Sequence, residues 1–331
     1  MATPAYSSGL QPPTLAEILA ARIRIRPYFG PSPLRNYPAI DQLVGTEVWI
    51  KHENFLPTGA FKVRGGLNLV ARLDPATRGQ GLVAASTGNH GQSVAFAARL
   101  FGMEAVICCP EGANPVKVEA IRRLGAEVVL VGRNFDEARQ HCERLAEEHG
   151  CRYVHSGNEP DLIAGVATHT LELLEERPDV DVILVPVGGG SGAAGACIVA
   201  KAIRPEIEVI AVQSVAAPSA HDSWRAGKLV ERPNKTYAEG LATGGAFELP
   251  QSILREKLDD FVLVSDDDLV AAVGAMIQTT RTLVEPAGAA PLAAALSVGV
   301  RPRLAGRRVA LICSGSNISP TQLRQVVGGL N

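Results

Sequence analysis

Short apolar stretches alternate with segments of helical periodicity along nearly the whole chain, and this alternation restricts the fold more than any other feature. Residues 47–52, 82–85, 104–109, 127–131, 182–187, 208–213, 260–264 and 308–313 have the length and β-branched content of buried strands. Between them, 61–73, 91–101, 114–124, 134–148, 163–176, 192–202, 266–282 and 287–298 carry apolar residues at helical spacing. Repeated strand–helix–strand units predict mostly parallel sheets covered by helices on both faces, an α/β architecture. Residues 56–156 hold a complete series of their own and are expected to close as a smaller domain. The rest of the chain, 1–55 and 157–331, forms the larger one.

Composition agrees with that class. A length of 331 residues suits two domains. Hydrophobic residues make up 46% and charged ones 20%, enough to build cores and too apolar for a disordered chain. Lys and Arg number 32 against 34 Asp and Glu, so no excess of positive charge offers itself to a nucleic acid. The N-terminal stretch MATPAYSSGLQPPT lacks a basic region followed by an apolar run, so no signal peptide is expected. One uncharged window, 182–200, reaches membrane-spanning length, but Pro186 and five glycines interrupt it; strand, glycine loop and helix explain it better. Six cysteines without a CxxC pair predict reduced thiols and a cytoplasmic protein.

Ligands of open α/β sheets lie beyond the carboxyl ends of strands, and four loops at such places stand out. Pro57-Thr58-Gly59 turns the chain so that a helix begins near Ala60, with Lys62 in its first turn. The helix dipole disfavours an ammonium there, and an amine kept partly neutral can attack an aldehyde to form a Schiff base. In Ser86-Thr87-Gly88-Asn89-His90, small and hydroxylic residues open another helix, whose free N–H groups suit a carboxylate or phosphate; a plain helix cap is the competing explanation. Gly188-Gly189-Gly190-Ser191-Gly192 forms a glycine-rich strand-to-helix turn, an anion cradle. Residues 190–195 also fit G-x-G-x-x-G, but the next strand ends at Gln213, where a dinucleotide site needs an acid for the ribose. Finally, Cys313-Ser314-Gly315-Ser316-Asn317 closes the last strand with a thiol and hydroxyls.

Together these loops resemble the fold-type II pyridoxal-phosphate enzymes, in particular the serine/threonine dehydratase and serine racemase family. PTGAFKVRG is similar to the family's lysine segment, STGNH to its substrate-carboxylate loop, GGGSG to its phosphate loop and CSGSN to the segment facing the pyridine nitrogen. Glu239-Gly240-Leu241 and Glu285-Pro286-Ala287-Gly288 are similar to two further landmarks. The resemblance implies two three-layer α/β domains with twisted, largely parallel sheets and an active site in the cleft between them. It implies pyridoxal 5'-phosphate as cofactor, a small amino acid as substrate, a homodimer or homotetramer, and neither nucleic acid nor membrane as partner. Residue by residue, Lys62 is implied as covalent anchor and proton-abstracting base. Asn89 is implied at the ring 3'-oxygen, Gly188, Gly189, Gly190, Ser191 and Gly192 at the phosphate, and Ser314 at the ring nitrogen with Cys313 as competitor. Ser86, Thr87, Gly88 and His90 are implied around the substrate carboxylate.

The chain departs from the family in several places. Thr87 stands where racemases offer a serine base. Gln213 and Ser219 fall where some members place two carboxylates for a divalent cation, so no metal site is expected. Gly165-Val166-Ala167-Thr168 and the surroundings of Gly157-Asn158 also differ, and no regulatory domain is expected after residue 331. The expected activity is an ammonia-lyase (dehydratase) taking a β-hydroxy amino acid such as L-threonine or L-serine to a 2-oxo acid and ammonia. An amino-acid racemase is the alternative, and an NAD(P)-dependent oxidoreductase a remote one.

Overall fold

Ten strands are divided between two sheets in the computed structural model, which describes residues 9–328. Residues 1–8 and 329–331, with most of the stretch considered above for a leader and both ends of the expected large domain, lie outside the described residues. The first sheet holds six strands: β1 (Leu34–Asn36), β2 (Val48–His52), β7 (Val182–Pro186), β8 (Glu208–Ser214), β9 (Asp260–Val264) and β10 (Val309–Cys313). Their spatial order is β1-β2-β10-β7-β8-β9, with only β1 antiparallel to its neighbour. The second sheet has four parallel strands, β3 (Leu82–Ala85), β4 (Ala105–Cys109), β5 (Glu127–Leu130) and β6 (Arg152–Tyr153), in the order β5-β4-β3-β6.

The order of the six-stranded sheet places the chemistry. From β7 the chain steps outward to β8 and β9, then returns to the other side of β7 as β10. A crevice therefore opens beyond the carboxyl ends of β7 and β10, where strand order reverses. The loops that leave those two strands are Gly188–Gly190 and Ser314–Asn317. Central strands buried on both faces, such as Val182–Pro186 and Val309–Cys313, explain their unbroken apolar sequences. Two core clusters cover the two faces of this sheet.

The helix Lys62–Arg72 is wedged between two others. A Cβ at Gly65 would meet Leu162 of the helix Pro160–Glu176 at 2.8 Å, and one at Gly66 would strike Ser93 of the helix Asn89–Leu100. The adjacent glycines of KVRGG thus let two helix backbones close on this one from different sides. The window 182–200 is a strand, a glycine loop and part of the helix Ser191–Ile203. Among the described residues no helix is long and apolar enough to cross a membrane.

Candidate active site

Backbone pairing brings the lysine loop onto the end of β10. The Phe61 N–H donates to the Ser314 carbonyl at 3.0 Å, the Ser316 N–H donates to the Gly59 carbonyl at 2.8 Å, and Ala60 bridges Gly315. Gly59 is left-handed, with φ 67°, and a side chain there would press on Ser316 and Asn317. Lys62 opens its helix directly after this contact, half-buried, and its Nζ donates to the Ser156 carbonyl and the Ser191 hydroxyl, each at 2.9 Å. The first acceptor follows β6 and the second opens the helix after β7, so one amine spans the crevice between the sheets. No carboxylate accompanies it. Burial lowers its pKa from 10.5 to about 8.

A cavity of about 630 Å³ surrounds that amine. All twelve residues singled out above line it: Lys62, Ser86, Thr87, Gly88, Asn89, His90, Gly188, Gly189, Gly190, Ser191, Gly192 and Ser314. The Cys313 thiol instead belongs to the core cluster on the opposite sheet face, and burial pushes its pKa up. Period-two alternation at the end of β10 explains the difference.

The glycine loop is shaped by close approach. A Cβ at Gly188 would collide with the Gly240 carbonyl, and one at Gly189 would sit 2.5 Å from Phe247. Gly190 is left-handed, φ 90°, and the helix starts at the next residue, Ser191. The first N–H groups of a helix have no intrahelical partner, and the dipole favours an anion. Gly195 completes the G-x-G-x-x-G pattern for packing: a Cβ there would lie 2.8 Å from Ala167 Cα.

The Ser86–His90 loop is held from within. Ser86 Oγ accepts from the Gly91 N–H at 2.9 Å and the Gly88 N–H at 3.2 Å, so it does cap the helix while lining the cavity. His90 Nε2 lies 3.0 Å from the Val154 carbonyl, which must accept, so this nitrogen carries the hydrogen. Its Nδ1 is buried without a partner. Burial, followed by the Lys62 charge, holds the ring's pKa down at about 3, leaving His90 neutral. Asn89 lies between Glu285 and Asn317, at 2.6 and 2.7 Å.

Further cavity residues were not singled out from sequence. The Ser156 carbonyl and His155 lie on the loop after β6, and Phe247 stacks edge-on against His155, 4.7 Å between centroids. Lys117 pairs with Glu239 at 2.8 Å across the crevice. Glu239, Gly240, Glu285 and Ala287 did carry a signal, as parts of the two landmark segments. Of the departures noted above, Thr87 lines the cavity and Gly157 packs on its Phe247, whereas Gly165 packs on the Arg64 backbone and Thr168 accepts from Arg64 Nη1 at 3.0 Å. Gln213 Oε1 accepts from the His221 N–H, and the Ser219 hydroxyl donates to the Thr243 carbonyl.

The donor set fits a phosphorylated aldehyde. An amine with only neutral acceptors among the described residues lies directly beside a glycine cradle at a helix start. Comparison with known proteins agrees. A family model described as pyridoxal-phosphate dependent enzyme matches residues 25–315. An L-threonine ammonia-lyase of Geobacter sulfurreducens is 42% identical over 285 residues, 86% of this chain and 70% of the relative. An L-threo-3-hydroxyaspartate ammonia-lyase of Saccharomyces cerevisiae is 33% identical, covering 96% of this chain and 97% of the relative. The solved structure of maize serine racemase matches with a TM-score of 0.91 at 33% identity, over 96% of this chain and 98% of that one.

Proposed function

Because the chain belongs to the pyridoxal-phosphate dependent enzymes, we propose that it is an ammonia-lyase converting a β-hydroxy amino acid such as L-threonine or L-serine to a 2-oxo acid and ammonia. The observation that carries this reading is the Lys62 amine, held across the crevice by Ser156 and Ser191 beside a glycine cradle. When bound, pyridoxal phosphate supplies an electron-withdrawing ring that acidifies the α-hydrogen of an attached amino acid. Everything else falls to the chain.

Lys62 Nζ would hold the cofactor covalently and would take the α-proton of the substrate. Its depressed pKa suits both tasks, since each needs the neutral amine. The Gly188–Gly192 turn would hold the phosphate by backbone N–H groups, and Asn89 and Ser314 would offer hydrogen bonds to the ring oxygen and the ring nitrogen. Thr87, Gly88 and the Ser86 hydroxyl receive the substrate carboxylate at a helix start. His90, neutral and committed to Val154, contributes shape and a dry wall rather than charge.

Residues 56–156 act as the smaller domain and the remainder as the larger, so that Ser86–His90 and the glycine loop approach the substrate from different sheets. We also infer a homodimer or homotetramer working in the cytoplasm. A panel of β-hydroxy amino acids tests the activity: L-threonine or L-serine should release 2-oxobutanoate or pyruvate with equimolar ammonia. Racemised substrate with no oxo acid would replace this reading with the racemase.

A further inference from the structure

Two carboxamides and a carboxylate from three separate segments meet beside the lysine loop. Asn317 Nδ2 donates to the Thr58 carbonyl at 2.9 Å and to Asn89 Oδ1 at 2.7 Å, and Asn89 Nδ2 donates to Glu285 Oε1 at 2.6 Å. The direction of this chain is set at its Thr58 end. A backbone carbonyl can only accept, so Asn317 must turn its NH₂ toward Thr58 and therefore toward Asn89. Asn89 must then answer with its oxygen, which sends its own NH₂ to the carboxylate at the far end. Glu285 is kept in place by tight backbone: a Cβ at Gly315 would collide with Oε1, and the Glu285 N–H donates to the Gly315 carbonyl at 3.0 Å.

We propose that Glu285 and Asn317 are positioning residues that fix the polarity of the Asn89 amide, so that this side chain offers the bound cofactor a hydrogen-bond donor and never an acceptor. The amide oxygen is turned toward Asn317. Of the two amide hydrogens, one is consumed by Glu285 and the second remains for the cavity. A ring oxygen meeting that N–H is stabilised in its anionic form, because a donor favours the charged state of its acceptor. The same chain ties Asn89, on the four-stranded side, to Thr58, four residues before Lys62, so cofactor contact and lysine loop keep one register. This inference rests on the reading that Asn89 faces the cofactor's ring oxygen.

The test measures the absorbance spectrum of bound pyridoxal phosphate and its dissociation constant in wild type and in Asn89→Ala, Asn317→Ala, Asn317→Asp, Glu285→Gln and Glu285→Ala, with thermal melts to confirm folding. Asn89→Ala should shift the cofactor band and weaken binding about tenfold, the loss of one charge-assisted hydrogen bond. Asn317→Ala should shift the band in the same direction. Asn317→Asp should shift it further, because an acceptor replaces the donor and turns the Asn89 amide. Glu285→Gln keeps an acceptor oxygen and should stay near wild type, whereas Glu285→Ala should not. Should Glu285→Ala fail to fold, the half-buried Asn317 variants decide. Wild-type spectrum and affinity in Asn317→Asp, alongside a shifted Asn89→Ala, would overturn the positioning role alone. An unchanged Asn89→Ala would instead remove the contact on which it rests.

Discussion

Two cations sit two residues apart on the helix Lys62–Arg72, and their surroundings are opposite. Arg64 faces into the protein. Its guanidinium takes Glu53 at 2.6 and 2.9 Å and Glu172 at 2.7 Å through each Nη, with Thr168 as a further acceptor. Lys51 joins the cluster through Glu172 at 2.8 Å. Burial alone would lower the Arg64 pKa, but Glu53 and Glu172 together outweigh it and raise it. Burial likewise works to raise Glu53, and Arg64 overrides it, bringing the carboxyl to about 2. Lys62 faces the cavity with a carbonyl and a hydroxyl for company, and there burial is unopposed. One helix therefore carries a cation locked in its charged form for architecture and another tuned toward neutrality for chemistry. The lesson is that a counter-carboxylate, more than depth, decides which of the two a buried cation becomes.

Truncating both residues breaks this contrast most directly. Lys62→Ala should cut oxo-acid formation by about 10⁴-fold while the melting temperature stays near wild type, since it removes the proposed base and anchor but no ion pair. Arg64→Ala should do the reverse to stability, costing about 3–5 kcal/mol by stranding the buried Glu53 carboxylate and leaving Glu172 to Lys51, as read by denaturant unfolding. A Lys62→Ala protein that unfolds, or an Arg64→Ala protein as stable as wild type, would erase the distinction. The pH dependence sharpens it. The proposed anchoring role needs the neutral amine, and burial lowers the Lys62 pKa from 10.5 to about 8. Reconstitution of apoprotein should therefore speed up about tenfold per pH unit below 8 and level off above it. A rate that keeps climbing toward pH 10 would mean that burial leaves Lys62 an ordinary lysine.

Smaller effects are expected on the opposite wall. Reprotonation of the α-carbon from the face away from Lys62 needs a second acid within about 2.6–3.2 Å. Thr87 has the hydroxyl, but β-branching stiffens χ1 and its methyl occupies space. Elimination should dominate with L-serine, and Thr87→Ser should modestly raise the D-serine share measured by chiral chromatography against pyruvate. More D-serine than pyruvate from wild type would favour the racemase. The smallest effect is expected from EDTA. The amide of Gln213 and the hydroxyl of Ser219 are poor ligands for a hard cation and are already engaged by His221 and Thr243. Activity and melting temperature should not move on chelation; strong activation by magnesium or calcium would contradict this.

Eight strands and eight helices were legible because central parallel strands are continuous apolar runs, and the helices between them are either amphipathic, as Lys62–Arg72 and Phe135–His149, or long runs of small and apolar residues, as Ser191–Ile203. The misses are short or lie outside the alternation. Strands β1 and β6 span three and two residues, too few for a period. The helix Leu15–Ile25 did carry a signal, since Thr14 and Glu17 form a capping box. Helices Ser219–Ala226 and Glu248–Lys257 are short, eight and ten residues, and lie between strands β8 and β9 in a stretch without the regular alternation. The site loops could be recognised because strand end, small residues and helix start are consecutive. The Arg64 cluster could not, because Glu53 and Glu172 are 119 positions apart and only the fold makes them neighbours. Glu285 was visible as a landmark without a task; its partner Asn89 lies 196 positions away.

Borohydride reduction of the holoenzyme, followed by peptide mass spectrometry, tests the role of Lys62 most directly. The purified protein should be yellow, lose that colour on reduction, and carry one pyridoxyl-phosphate adduct, on Lys62. An adduct on another lysine, or a colourless protein that takes up no cofactor, would contradict the assignment of Lys62 as the anchor.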